Sequence, residues 1–136
     1  MKDFQTYLNF DGNAREAMTF YKDCLGGELF VQTFAESGPG PNASLDRLMH
    51  ARLTIGSAIL MASDTMPGMP FVRGNNFAVN VACDTIEEIE RYFAAFSKGG
   101  TVTMPLADQF WGARFGMIED QFGVNWMFNC ELHKTS

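Results

Sequence analysis

The sequence predicts an α+β protein made of two copies of one β-α-β-β-β module, with helices outside a curved, cavity-lined mixed sheet. Three observations predict it. A helix-sized segment recurs at a displacement of 72 residues, strand-like segments of period two flank both copies, and each copy contains a tight hairpin.

Residues 4–10 open the first copy as a strand. Alternation puts Phe4, Thr6, Leu8 and Phe10 on the helix side, and Gln5, Tyr7 and Asn9 on the concave side. Ala14, Ala17, Phe20, Tyr21 and Cys24 then step by three and four, the spacing of one buried helical stripe. Asn13 suits the N-cap, and Gly26 with Gly27 suits the helix end. Residues 30–34 supply a further strand, and residues 36–46, rich in Gly, Pro and Ser, read as a loop.

Two strands joined at Ile55, Gly56 and Ser57 follow. His50, Arg52 and Thr54 oppose Ala51, Leu53 and Ile55, and Ile59, Met61 and Ser63 share the cavity side. The connection carries Pro67 and Pro70, and its Met66, Met69 and Phe71 predict packing. Module one spans 1–66, the connection 67–75 and module two 76–132, together forming one domain over 1–136.

The second copy repeats the order. Residues 76–82 match the opening strand. Ile86, Ile89, Tyr92, Phe93 and Phe96 match the helical stripe, capped by Asp84 or Thr85 and ended by Gly99 and Gly100. Residues 101–104 form a strand, and a hairpin turns at Asp120, Gln121, Phe122 and Gly123. In its last strand Val124, Trp126 and Phe128 face the helix, and Asn125, Met127 and Asn129 face away.

Composition narrows the function classes. The net charge is −6 with no basic run, which excludes phosphate-backbone recognition and so nucleic acid. No segment approaches the roughly 20 apolar residues of a membrane span, and the first residues lack a signal peptide's apolar stretch. Three cysteines without paired spacing read as reduced, packed thiols, so a cytoplasmic location is expected. Thirteen Phe and nine Met leave much soft apolar surface, and a homodimer is the expected way to cover it.

The expected cavity lining is Gln5, Tyr7, His50, Arg52, Met61, Phe77 and Met127. His50 and Arg52, two apart on a strand, point the same way. They suit an anionic or carbonyl ligand, Arg52 as a fork donor and His50 as acid, base or donor. The competing reading is a salt bridge to Asp46 or Asp64. Trp111 and Phe115 with Arg114 suit a planar ligand, against which stands a plug at the module junction or dimer interface. His133 reads as a solvated tail residue. Glu87, Glu88 and Glu90 read as a solvated helix face.

The arrangement resembles the vicinal-oxygen-chelate superfamily of glyoxalases, bleomycin-resistance proteins and extradiol dioxygenases, and within it the PhnB-like branch. The resemblance runs from YLNFDGNAREAMTFYKDCLGG through ILMASDTMPG to QFWGARFGMIEDQFGVNWMFN, and its most specific piece is FW-x3-FG-x3-D-x-FG-x2-W. It implies four positions for a divalent metal, which fall on Gln5, Met61, Phe77 and Met127. Phe77 cannot ligate, and thioethers are poor partners for hard or borderline cations, so no metal and no other cofactor is expected. Proteins of this branch are sometimes labelled demethylubiquinone methyltransferase-like, but no Gly-rich strand–helix turn supports methyl transfer.

Two main readings follow. One is a metal-free module that binds a small organic molecule, as bleomycin-resistance proteins sequester theirs. The alternative is a metal-independent lyase- or isomerase-like enzyme acting on a small carbonyl substrate, with His50 as general base helped by Arg52 and Gln5. A scaffold filled by its own Phe and Met side chains is a third.

Overall fold

The computed structural model describes residues 1–34, 46–66 and 68–132. All of the expected 36–46 loop except Asp46, together with Pro67 and the tail with His133, lies outside the described residues. The chain divides into two compact units, Met1–Val72 and Arg73–Ser136, a division that falls inside the 67–75 connection.

Unit one runs β1 (Thr6–Phe10), α1 (Ala14–Leu25), β2 (Glu28–Thr33), β3 (Leu48–Ile55) and β4 (Ala58–Asp64). Its sheet has the order β1-β4-β3-β2. The β1–β4 pair is parallel and the others antiparallel. Unit two repeats this with β5 (Val79–Cys83), α2 (Ile86–Ser97), β6 (Thr101–Asp108), β7 (Ala113–Glu119) and β8 (Asn125–Glu131). Its order is β5-β8-β7-β6, again with one parallel pair. The architecture is α+β, two β-α-β-β-β modules each with its own four-stranded mixed sheet.

Each core lies between a sheet and its helix. In unit one Leu8, Phe10, Leu53 and Leu60 meet Met18 and Tyr21, all buried. Small side chains at Ala14, Ala17, Ala51 and Ala62, also buried, let the helix approach the sheet closely. In unit two Phe96 lies 4.6 Å from Trp126 and 5.1 Å from Phe128, ring centre to ring centre. Burying a side chain of this size contributes about 1.5–3 kcal/mol, so these residues dominate the stability of each unit.

The two helices are capped differently. Thr85 Oγ1 accepts the Glu88 N–H at 3.1 Å, and Glu88 Oε1 accepts the N–H of Asp84, just before the cap, at 3.0 Å, a cap that a local reading can find. Asn13 makes no such bond. Asp64, at the end of β4, does its work: Oδ1 accepts the N–H groups of Gly12 (2.8 Å) and Ala14 (3.0 Å). Its Oδ2 accepts Leu48 N–H at 2.8 Å. Asp64 is therefore a buried staple and not a partner for Arg52.

One difference between the units moves a sheet face. The strands that open the two units are 73 residues apart, whereas the helices are 72 apart, because the turn before α1 has one residue more. In β5, Val79, Val81 and Cys83 pair with Trp126, Phe128 and Cys130 on the helix side, and Asn80 pairs with Met127 on the other. The cavity-side assignment of Phe77, which rests on a uniform displacement of 72, is corrected here. Phe77 lies ahead of β5, half-exposed, and Asn80 takes the open-face position.

Candidate functional site

Each sheet has one face covered by its helix and one open face carrying a row of register partners. In unit one the row is Tyr7, Met61, Arg52 and Phe30, one residue from each strand. Alternation carries them to the side opposite Leu8, Ala51, Leu53, Leu60 and Ala62. Tyr7 is 44% and Phe30 53% exposed, a large share for aromatic residues inside strands.

His50 sits two residues from Arg52 on the same face, paired in register with Gln32. Its ring lies 6.1 Å from the ring of Tyr7 at 40°. Arg52 is exposed, and among the described residues it makes no ion pair and no side-chain hydrogen bond. Its fork of N–H donors is left to solvent or a ligand. Arg47, by contrast, is committed. Its Nη1 donates to Asp11 Oδ1 (3.0 Å) and to the carbonyl of Thr65 (2.9 Å), tying the β1–α1 turn to the end of β4. Hydrogen bonds from Arg47 and Thr65 hold the Asp11 carboxyl below its ordinary range. Gln5, just ahead of β1, is exposed.

In unit two the matching row is Asn80, Met127, Met117 and Met104. Phe115 shares that face beside Asn129, and the ring of Trp111 meets it at 5.8 Å and 67°. Trp111 is 52% exposed on the turn between β6 and β7. Arg114 does not join this aromatic pair. It is the register partner of Cys130, on the helix side of β7. There Nε lies 2.7 Å from Asp108 Oδ1 and Nη1 2.6 Å from Glu90 Oε1. The Arg–Trp–Phe wall expected from their closeness in sequence is split across two faces of one strand.

The structure thus brings Tyr7, His50, Arg52 and Met61 onto one face, and Met127, Phe115 and Trp111 onto another. Sequence reasoning missed Phe30, Asn80 and Met117, whereas it groups Met104 with Met66, Met69 and Phe71 as an adaptable apolar lining or plain packing. The turn at Gly56, with φ 59°, contained a usable signal, because it sets Ile55 against Ala58 and hence Arg52 against Met61. No comparable turn fixes Phe30, whose partner strand begins only at Leu48.

The positions at which the resemblance implies a metal offer little to one. Met61 and Met127 present thioethers, Phe77 a hydrocarbon ring and Gln5 one amide oxygen. Taking the 73-residue displacement, Ala78 replaces Phe77 and brings no donor either. Among the described residues no group of three or more His, Cys, Asp or Glu could hold a metal ion. Likewise no helix among them is long and apolar enough to cross a membrane.

A model of the family described as 3-demethylubiquinone-9 3-methyltransferase matches residues 2–128. Protein YjdN of Escherichia coli (strain K12) is 32% identical over 136 residues, covering 90% of this chain and 91% of its own. The crystal structure of protein PA1353 from Pseudomonas aeruginosa matches with a TM-score of 0.83 at 43% identity, over 95% of this chain and 98% of that one. A PhnB protein from Bacillus cereus matches with a TM-score of 0.76 at 26% identity, over 95% and 99%. Solved glyoxalase/bleomycin resistance/dioxygenase proteins share the fold at much lower identity.

Proposed function

This chain belongs to the family described as 3-demethylubiquinone-9 3-methyltransferase, the PhnB-like branch of the glyoxalase/bleomycin resistance/dioxygenase superfamily. From that premise we propose that it is a binding protein, holding a small oxygen-rich or partly aromatic organic anion on the open face of its first sheet, without the superfamily metal.

One observation carries this reading: Arg52, with no protein partner among the described residues, stands in a row with Tyr7, Met61 and Phe30. A guanidinium free to bind a carboxylate or carbonyl in bidentate fashion supplies orientation. The aromatic and thioether neighbours supply an adaptable apolar platform. His50 adds a second donor beside Tyr7. The metal-free part of the reading rests on the donor chemistry at Gln5, Met61, Phe77 and Met127.

Methyl transfer would need a donor cofactor, and the strand–helix turns do not fit one of the nucleotide-binding type. Acidic side chains already stand at both turns, Asp64 on the N–H groups of Gly12 and Ala14, and Glu88 on that of Asp84. They compete with an anionic cofactor group for the donors around the helix N-termini.

The test is native mass spectrometry of protein purified without chelator, with identification of any released molecule. A copurifying organic acid that is lost from Arg52→Ala supports the reading. Stoichiometric divalent metal, or a ligand retained by Arg52→Ala, refutes it. The proposed assembly is a pair of identical chains, which would cover exposed apolar residues such as Phe4, Val72 and Phe110. Light scattering that gives a 15.1 kDa particle would contradict it.

A further inference from the structure

Unit two carries a concavity on the helix side of its sheet. A groove of about 490 Å³ runs between α2 and the β6–β7 ladder, within the size range of small-molecule sites. Phe93 and Leu106 form its floor, and Glu90, Asp108 and Arg114 stand at its mouth. The floor is built rather than incidental. Gly116 lies beneath it, and a Cβ there would come within 2.5 Å of Phe93 Cε2 and 3.1 Å of the Leu106 backbone. The missing side chain lets the Phe93 ring and β6 settle against β7, with Phe93 braced edge-on against Phe128 at 5.8 Å.

The charges at the mouth do not cancel. Arg114 grips both carboxylates, Nε on Asp108 and Nη1 on Glu90, which leaves two negative charges against one positive. The hydrogen bond from Arg114 holds the Asp108 carboxyl below its ordinary range, so it stays ionised at neutral pH. Both acids are more than half exposed. Arg114 fixes the pair in place and is itself spent as an anion receptor.

We propose that this groove binds a small organic cation, a primary or quaternary ammonium carried on a compact apolar body. The ammonium would lie against the exposed side of Glu90 or Asp108, away from Arg114, and the body would lie on Phe93 and Leu106. The ammonium gains from the unneutralised carboxylate charge, and the apolar body from contact with the aromatic floor.

The test is a titration of the full chain with benzylammonium chloride, benzyl alcohol and benzoate, followed by amide shifts in a nitrogen–proton correlation spectrum. The expected result is saturable shifts at Glu90, Ala94, Ala107 and Asp108 with benzylammonium. Its affinity should exceed that of benzyl alcohol by about fivefold and fall by a similar factor in Glu90→Gln or Asp108→Asn, the scale of a surface ion pair. The spectra of the two variants report directly that they are folded. Benzoate binding as tightly as benzylammonium, equal binding of all three probes, or affinity unchanged in both variants would overturn the assignment.

Discussion

The indole N–H of Trp126 donates to Oδ2 of Asp120 across 2.9 Å, and both side chains are buried. Oδ1 of the same carboxylate accepts the N–H groups of Phe122 (2.8 Å) and Val124 (3.0 Å). One side chain therefore closes the β7–β8 turn and pins the largest core residue to it. Gly123 completes the turn at φ 85°, a conformation that favours glycine. The D-x-FG-x2-W part of the family motif is thus architecture: it shapes the hairpin and presents no group to a ligand.

Asp120→Ala should cost about 3 kcal/mol, since it strands an indole N–H and two backbone N–H groups. Asp120→Asn should fall between, because an amide keeps one acceptor and turns a donor toward another donor. Urea unfolding followed by circular dichroism checks the order. A loss under about 0.5 kcal/mol in the alanine variant, the range of a plain surface change, would sink the account.

Gly116→Ala should destabilise unit two by about 1–3 kcal/mol, the scale of overpacking, because Phe93 and the Leu106 backbone both block the new methyl. Phe93→Leu should relieve part of that cost in the double variant, although it leaves a gap beside Phe128. Thermal melts of the two single variants and the double variant close the cycle. Strictly additive losses would show that the ring is not what excludes the methyl.

The two-module plan was legible because each unit writes both hydrophobic periods: three-and-four steps through Ala14 to Cys24 and Ile86 to Phe96, and alternation through Leu8, Ala51 and Trp126. The open-face placement of Tyr7, His50, Arg52 and Met61 followed from alternation alone. What failed to show was whatever depended on a turn's length or a distant partner. One extra residue before α1 reversed the face of β5, and a run such as Phe77, Val79, Val81 reads as apolar in either register. Asp64 caps a helix that begins 50 residues earlier in the chain, beyond any local capping rule. Arg114 and Phe115 are adjacent in sequence, and on a strand that separates them.

Arg52→Ala should leave stability within about 0.5 kcal/mol of the parent, because its guanidinium touches no partner among the described residues. Binding of an anionic ligand to the open face should weaken by about tenfold or more, the value of one charge-assisted hydrogen bond. Paired melts and calorimetric titration separate the two effects. A large loss of stability would mean that Arg52 is structural, and the proposed ligand contact would lose its support.

The thiols offer a test that needs no ligand. Cys24 is partly accessible, whereas Cys83 and Cys130 are buried. Burial, followed by the negative charges of Glu88 and Asp84 and the neighbouring Cys130, pushes the Cys83 thiol up to about 12, with Arg91 opposing. Its folded value lies above the ordinary 9.0, so between those values the unfolded chain holds fewer protons than the folded one. Stability must then fall as pH rises through that window. The decline should be shallower in Cys83→Ser, which has no thiol to ionise there. At pH 8 a disulfide reagent should titrate Cys24 quickly in the folded protein and the two buried thiols only in urea, since the reagent cannot reach a covered thiol. Rapid modification of Cys83 in the folded state would show that this side of the β5–β8 pair opens to solvent.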